Sequence, residues 1–104
     1  MLFRSSVVSE FATEIDATEK MAKTDGYTGF ERPSVPSACT YGPITFRCVV
    51  YSAATRQGRV FSKLMMTGYR DHFLKVRIDW AQSLNQTSAD ADRALRAFIP
   101  ALVR

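Results

Sequence analysis

A single histidine, His72, and two cysteines, Cys39 and Cys48, are the chain's whole stock of imidazole and thiol. That scarcity excludes most site chemistry. The C-x8-C spacing has no second close pair, so a zinc site is not expected. A Cys–His nucleophilic pair needs hydrogen-bond reach between the two groups, and nothing in the spacing brings His72 to either thiol. His72 therefore reads as a turn residue. Paired carboxylates fare no better: Asp71 and Asp79 lie at opposite ends of a strand roughly 25 Å long. No phosphate loop, dinucleotide fingerprint, zinc knuckle or helix-turn-helix signature occurs. No catalytic, cofactor-binding or metal-binding residue is expected, and the chain reads as non-enzymatic.

Long apolar runs are also missing. None approaches the roughly 20 residues that span a bilayer. The stretch Met1-Leu-Phe-Arg-Ser-Ser-Val-Val has no continuous apolar core before Glu10, so it does not read as a signal peptide. An exported form would then be a fragment or a mature chain without its signal. What is present is the balance of an ordinary globular domain: 104 residues, 46% hydrophobic and 23% charged, enough for one core without metals or many disulfides. The net charge of +4 is uneven. Residues 1–31 hold six acids and three bases, whereas residues 32–104 hold eleven bases and four acids. A basic part of that kind either attracts an anionic partner or is neutralised locally by the acidic segment.

Periodicity supplies the elements. Val8, Phe11, Ile15 and Ala22 recur at helical spacing, with Ala12 and Met21 beside them. Ser5 or Ser6 can cap this helix, and Asp25-Gly26 can end it, so residues 1–26 are expected to be helical. Residues 27–43 carry Gly29, Pro33, Pro36, Gly42 and Pro43 and read as a long loop, pinned by Phe30 and Val35. Three strands follow, over 44–54, 59–67 and 73–80. Turns at Thr55–Gly58 and Gly68–His72 join them as an antiparallel meander. Ala81–Gln86 reads as a polar linker. Thr87 and Asp90 form a weak capping box ahead of a helix with an Ala91, Ala94, Leu95, Phe98 and Leu102 stripe. Pro100 should kink or end that helix. The fold class is α+β: a three-stranded antiparallel meander, larger if a partner completes it, packed by a C-terminal helix. Residues 44–104 form the sheet and that helix within one domain.

The third strand is the most regular. Leu74, Val76, Ile78 and Trp80 share one face, and Phe73, Lys75, Arg77 and Asp79 the other, the period of a half-buried strand. Its polar face points to the expected interaction surface: Arg47, Lys63, Lys75 and Arg77 with Tyr51, Phe61, Met65 and Phe73 between them. Large apolar residues on a second face imply another protein chain, including a second copy in a homo-oligomer. Basic groups interleaved with aromatics also suit single-stranded nucleic acid. That partner is kept as the alternative, because the aromatic ribonucleoprotein signatures are absent.

The segment Met66-Thr-Gly-Tyr-Arg-Asp-His-Phe-Leu-Lys-Val-Arg-Ile78, followed by a terminal amphipathic helix, resembles the C-terminal part of a family of uncharacterised exported bacterial proteins. Arg47-Cys-Val-Val-Tyr51 and Phe61-Ser-Lys-Leu64 fit the same pattern, and the likeness covers roughly residues 44–103. The arrangement is also similar to the α/β/α sandwich of the extrinsic photosystem II subunits, a likeness of fold without function. The resemblance implies a periplasmic or secreted protein of which residues 1–43 belong to a larger N-terminal part. It implies no activity. Cys39 and Cys48 then have two readings. Export favours a bridge, contributing roughly 2–3 kcal/mol. A cytoplasmic location favours two separate thiols, with Cys48 in the core.

Overall fold

The computed structural model describes residues 4–25, 29–32 and 35–102. Helix α1 (Arg4–Asp25) leads into four strands, β1 (Ser37–Tyr41), β2 (Ile44–Thr55), β3 (Gly58–Tyr69) and β4 (His72–Ala81). A 3-10 turn at Gln82–Leu84 precedes α2 (Ser88–Leu102). The strands lie in the order β1-β2-β3-β4, each antiparallel to its neighbour. The fold is α+β, as the sequence suggests. The sheet has four strands rather than three, because Ser37–Tyr41 pairs with Ile44–Cys48. That strand falls inside the stretch read as loop. Gly42, at a φ of 61°, makes a two-residue turn there that hides the strand among Gly and Pro signals.

One helix covers each face of the sheet. Val7, Phe11 and Ile15 of α1 cluster with Val49, Tyr51 and Met66. Leu95 and Ile99 of α2 cluster with Tyr41, Phe46, Cys48 and Met65. Met65 and Met66 are adjacent and both fully buried. Successive side chains leave a strand on opposite sides, so the two need a layer above and a layer below. The long axis of 43 Å is that of strands of twelve residues.

Both helices are rotated slightly from the expected stripes. On α1, Val7 is buried and Val8 exposed, and Met21 also faces outward. On α2 the buried row is Ala91, Leu95 and Ile99, at i, i+4 and i+8, leaving Ala94, Phe98 and Leu102 exposed. A straight i, i+4 row lies flat on a sheet, whereas the broader stripe of the sequence includes its flanks. The capping box is present: Asp90 N–H donates to Thr87 Oγ1 at 3.2 Å, and Thr87 N–H to Asp90 Oδ2 at 2.9 Å. Pro100 lies within α2 and cannot bond the Arg96 carbonyl, but it does not end the helix, which runs on to Leu102. The side chains of Ser5 and Ser6, proposed as caps for α1, lie outside the described residues, as does Gly26.

Segment 29–32 runs along β2 beyond the end of β1. Glu31 and Ser52 exchange backbone hydrogen bonds of 2.8 and 2.9 Å. Arg59 clamps the segment by donating to the Gly29 carbonyl at 2.7 Å and to Ser52 Oγ at 3.0 Å. Phe30 anchors it by stacking on Tyr51, with centroids 5.3 Å apart. Val35 does not anchor it, being 76% exposed.

Candidate functional site

Strand register decides which side chains meet. Arg70 and Asp71, both at positive φ (49° and 64°), form a two-residue turn of the hairpin type. The turn sets Tyr69 opposite His72, and hence Lys63 opposite Ile78 and Met65 opposite Val76. Lys63, Met65 and Phe61 therefore share the α2 face with the apolar row of β4. Arg47, Tyr51, Phe73, Lys75 and Arg77 share the α1 face, as their pairing with Met66, Ser62 and Leu64 requires. The eight residues of the expected interaction surface thus divide five and three between opposite faces, and a helix packs on each.

On the α1 face Lys75 and Arg77 are engaged. Lys75 Nζ donates to Glu14 of α1, which raises the lysine pKa through that bond. Arg77 Nε donates to Ser62 Oγ at 3.0 Å and to Asp79 Oδ1 at 3.1 Å, and Ser62 Oγ also bonds Asp79. Arg32 lies 3.7 Å from Glu19. The acidic helix thus neutralises part of the basic sheet, the local explanation for the charge asymmetry. Arg47 Nε and Tyr51 Oη are buried without a hydrogen-bond partner among the described residues. Burial pushes the Tyr51 phenol up to about 12. A phenol whose folded pKa is raised contributes stability that is full below its unfolded value near 10 and lost as pH rises through the folded one. Melting temperature should therefore fall between pH 10 and 12, in step with phenolate absorbance, and Tyr51→Phe should blunt that fall. A melting temperature flat across that window would contradict it.

On the other face lies a polar cluster that the sequence analysis did not find. Tyr41 Oη donates to Asp92 Oδ1 at 2.8 Å and accepts from Lys63 Nζ at 2.7 Å. Arg96 Nε donates to Asp92 Oδ2 at 2.9 Å, and its guanidinium lies 5.4 Å from the Tyr41 ring centroid. The hydrogen bond from Tyr41 is the main cause holding the Asp92 carboxyl below its ordinary value. Burial raises the Tyr41 phenol and lowers the Lys63 ammonium. The four groups satisfy one another and tie β1, β3 and α2 together. A groove of about 860 Å³ opens beside them, floored by Phe61 and Trp80, whose rings stack at 5.5 Å. No sequence signal marked the cluster, because Tyr41 sat in the apparent loop.

Among the described residues, no three His, Cys, Asp or Glu side chains converge as a metal site. His72 is exposed at the start of β4. Cys39 and Cys48 are joined, with Cα atoms 6.1 Å apart. No described helix is long and apolar enough to cross a membrane.

The remaining candidate is the rim of the sheet. The β1 edge is five residues long, and segment 29–32 lies against β2 beyond it. The β4 edge is ten residues long, has no proline, and pairs on its outer side with no described strand. The Tyr69–His72 pair flanks a two-residue turn, so the even-numbered residues of β4 direct their backbone groups to β3 and the odd-numbered ones outward. Gln86 marks the parity: its side chain accepts from Ala81 N–H at 3.0 Å, and its own N–H donates to the Ala81 carbonyl at 3.2 Å. Phe73, Lys75, Arg77 and Asp79 have the same outward orientation. A groove of about 730 Å³ flanks this edge between α1 and β4, lined by Glu14, Met21, Lys75, Arg77, Asp79 and Trp80 among others.

Comparison with protein families, with curated proteins and with solved structures found no match to this chain. The site's own geometry therefore carries the functional reading.

Proposed function

We propose that the chain is a non-enzymatic protein-interaction domain of an exported bacterial protein, and that it receives its partner along the β4 edge. The observation that carries this is the outer side of β4, ten residues long and unpaired among the described residues, in a sheet whose other long edge is partly occupied. Such an edge gives affinity through main-chain hydrogen bonds, and flanking grooves select side chains. The joined cysteines suit an oxidising compartment, which supports a periplasmic or secreted location rather than a cytoplasmic one. Bacterial origin and export rest otherwise on the resemblance of residues 44–103. The nucleic-acid alternative needs aromatic rings beside free cations on one surface. The register separates Phe61 from Phe73 and Tyr51, and Lys63 and Lys75 already have protein partners, so the geometry favours a protein.

Selection of extended peptides from a random displayed library tests this reading. Recovered peptides should bind the wild-type chain and lose at least about tenfold in affinity to Arg77→Pro, which removes one outward N–H but no bond to β3. Arg77→Ala controls for the side chain, and a circular dichroism melt for folding. Recovery of no peptide, or of peptides indifferent to Arg77→Pro, would sink the reading. So would tight, salt-sensitive binding of single-stranded oligonucleotides by the chain.

A further inference from the structure

The charges along the β4 edge say which strand fits it. Arg77 and Asp79 are adjacent outward-facing positions, and both project on the α1 face, where they pair with each other. An antiparallel strand brought alongside sets one of its residues directly opposite each of these. A second copy of β4, related by a two-fold axis at Ile78, sets Asp79 of the copy opposite Arg77 and Arg77 of the copy opposite Asp79. On the other face Ile78 then meets its own equivalent, and Val76 meets Trp80. Both cross-strand charge pairs are attractive. A shift of two residues either way sets Arg77 against Arg77 or Asp79 against Asp79, which is repulsive. The outward parity also fits. Paired positions 77 and 79 are both odd, so their backbone groups point at each other and exchange four hydrogen bonds around the axis. Gln86, bound to Ala81, ends the ladder one step beyond.

From this we infer that the partner of the β4 edge is a second copy of the chain, joined through antiparallel β4 pairing in the register that centres on Ile78. The inference rests on the edge-docking reading and narrows it to one occupant. Two sheets merge into one of eight strands, with both α1 helices on one face. The grooves beside the two β4 strands meet across the axis.

Cysteine placed at the axis reads the register. In a pair of this kind the Ile78 Cα atoms come to roughly 4.5 Å, within disulfide range. Ile78→Cys should therefore yield a disulfide-linked dimer on mild oxidation with the Cys39–Cys48 bridge intact. Leu74→Cys and Lys75→Cys, away from the axis, should not. Sedimentation of the unmodified chain should show a monomer–dimer equilibrium. Arg77→Asp, which makes both cross-strand pairs repulsive, should weaken it roughly tenfold or more, and the swap Arg77→Asp with Asp79→Arg should restore it. Strictly monomeric behaviour at the highest soluble concentration overturns the inference. A dimer that links through Leu74→Cys or Lys75→Cys but not through Ile78→Cys overturns it too. In either case, selected peptides that still require an intact Arg77 amide would leave the edge reading standing.

Discussion

Replacing Phe11 with alanine is expected to remove about 3–5 kcal/mol of folding free energy. Phe11 is the centre of the α1 layer: it is 1% exposed and packs among Val7, Ile15, Val49, Tyr51 and Met66. Few other large side chains hold α1 down, because Val8 and Met21 face outward. The emptied volume has little chance to close, since the sheet beneath is held from its other face by Leu95 and Ile99. For a domain of this size total stability is of the order of 5–15 kcal/mol, so the variant should lie near its unfolding threshold. Chemical denaturation should show a midpoint far below that of the wild type. Val8→Ala, on the same helix one position along, should move it by less than about 1 kcal/mol. Equal effects of the two would mean that α1 is rotated from the position described. The loss should also expose Tyr51, whose raised phenol pKa depends on burial, and so bring the alkaline transition toward pH 10.

The second large effect is expected from the disulfide. Cys39 in β1 and Cys48 in β2 are nine positions apart, and closing so short a loop stabilises by roughly 2–3 kcal/mol in the chain-entropy account. The bridge has a local task as well. β1 is five residues long and lies at the sheet edge, yet it carries Tyr41, the hub of the Asp92, Lys63 and Arg96 cluster. Replacing both cysteines with alanine should lower the denaturation midpoint and make residues 35–43 the first site of proteolytic cutting. The β2–β3–β4 hairpins should persist. Reduction of the unaltered chain should reproduce the shift. An identical midpoint with and without reductant would show that the bridge does not form in solution, and would remove the main structural support for an oxidising location.

Much of the fold was readable because neighbouring residues carry it. The alternation from Phe73 to Trp80 can only be a strand with two unlike faces. The Thr87–Asp90 box marks a helix start through bonds made within four residues. The stripe of α2 needed a correction of one position, since periodicity defines a face about a third of a turn wide and the sheet selects the row within it. The fourth strand was hidden by its own turn, Gly42-Pro43, whose residues signal a loop whether or not a strand precedes them. The expected interaction surface was assigned to one face, whereas the register divides its residues between two. A five-residue turn at Gly68–His72 leaves the register of β3 on β4 open by one. The actual two-residue turn at Arg70-Asp71, built from non-glycine residues at positive φ, fixes it, and a shift of one residue moves Phe61, Lys63 and Met65 to the opposite side.

By itself, then, the amino-acid sequence determined the α+β class, the β4 alternation and both helices, because each follows from contacts a few residues apart. Only the tertiary structure decided that the sheet has four strands with a helix on each face, that Cys39 meets Cys48, and that Tyr41 donates a hydrogen bond to Asp92, 51 positions away. It also decided that β4 is an edge strand whose outer side pairs with no described strand, since strand order depends on which distant segments take the other hydrogen-bonding sides, and no local pattern records that.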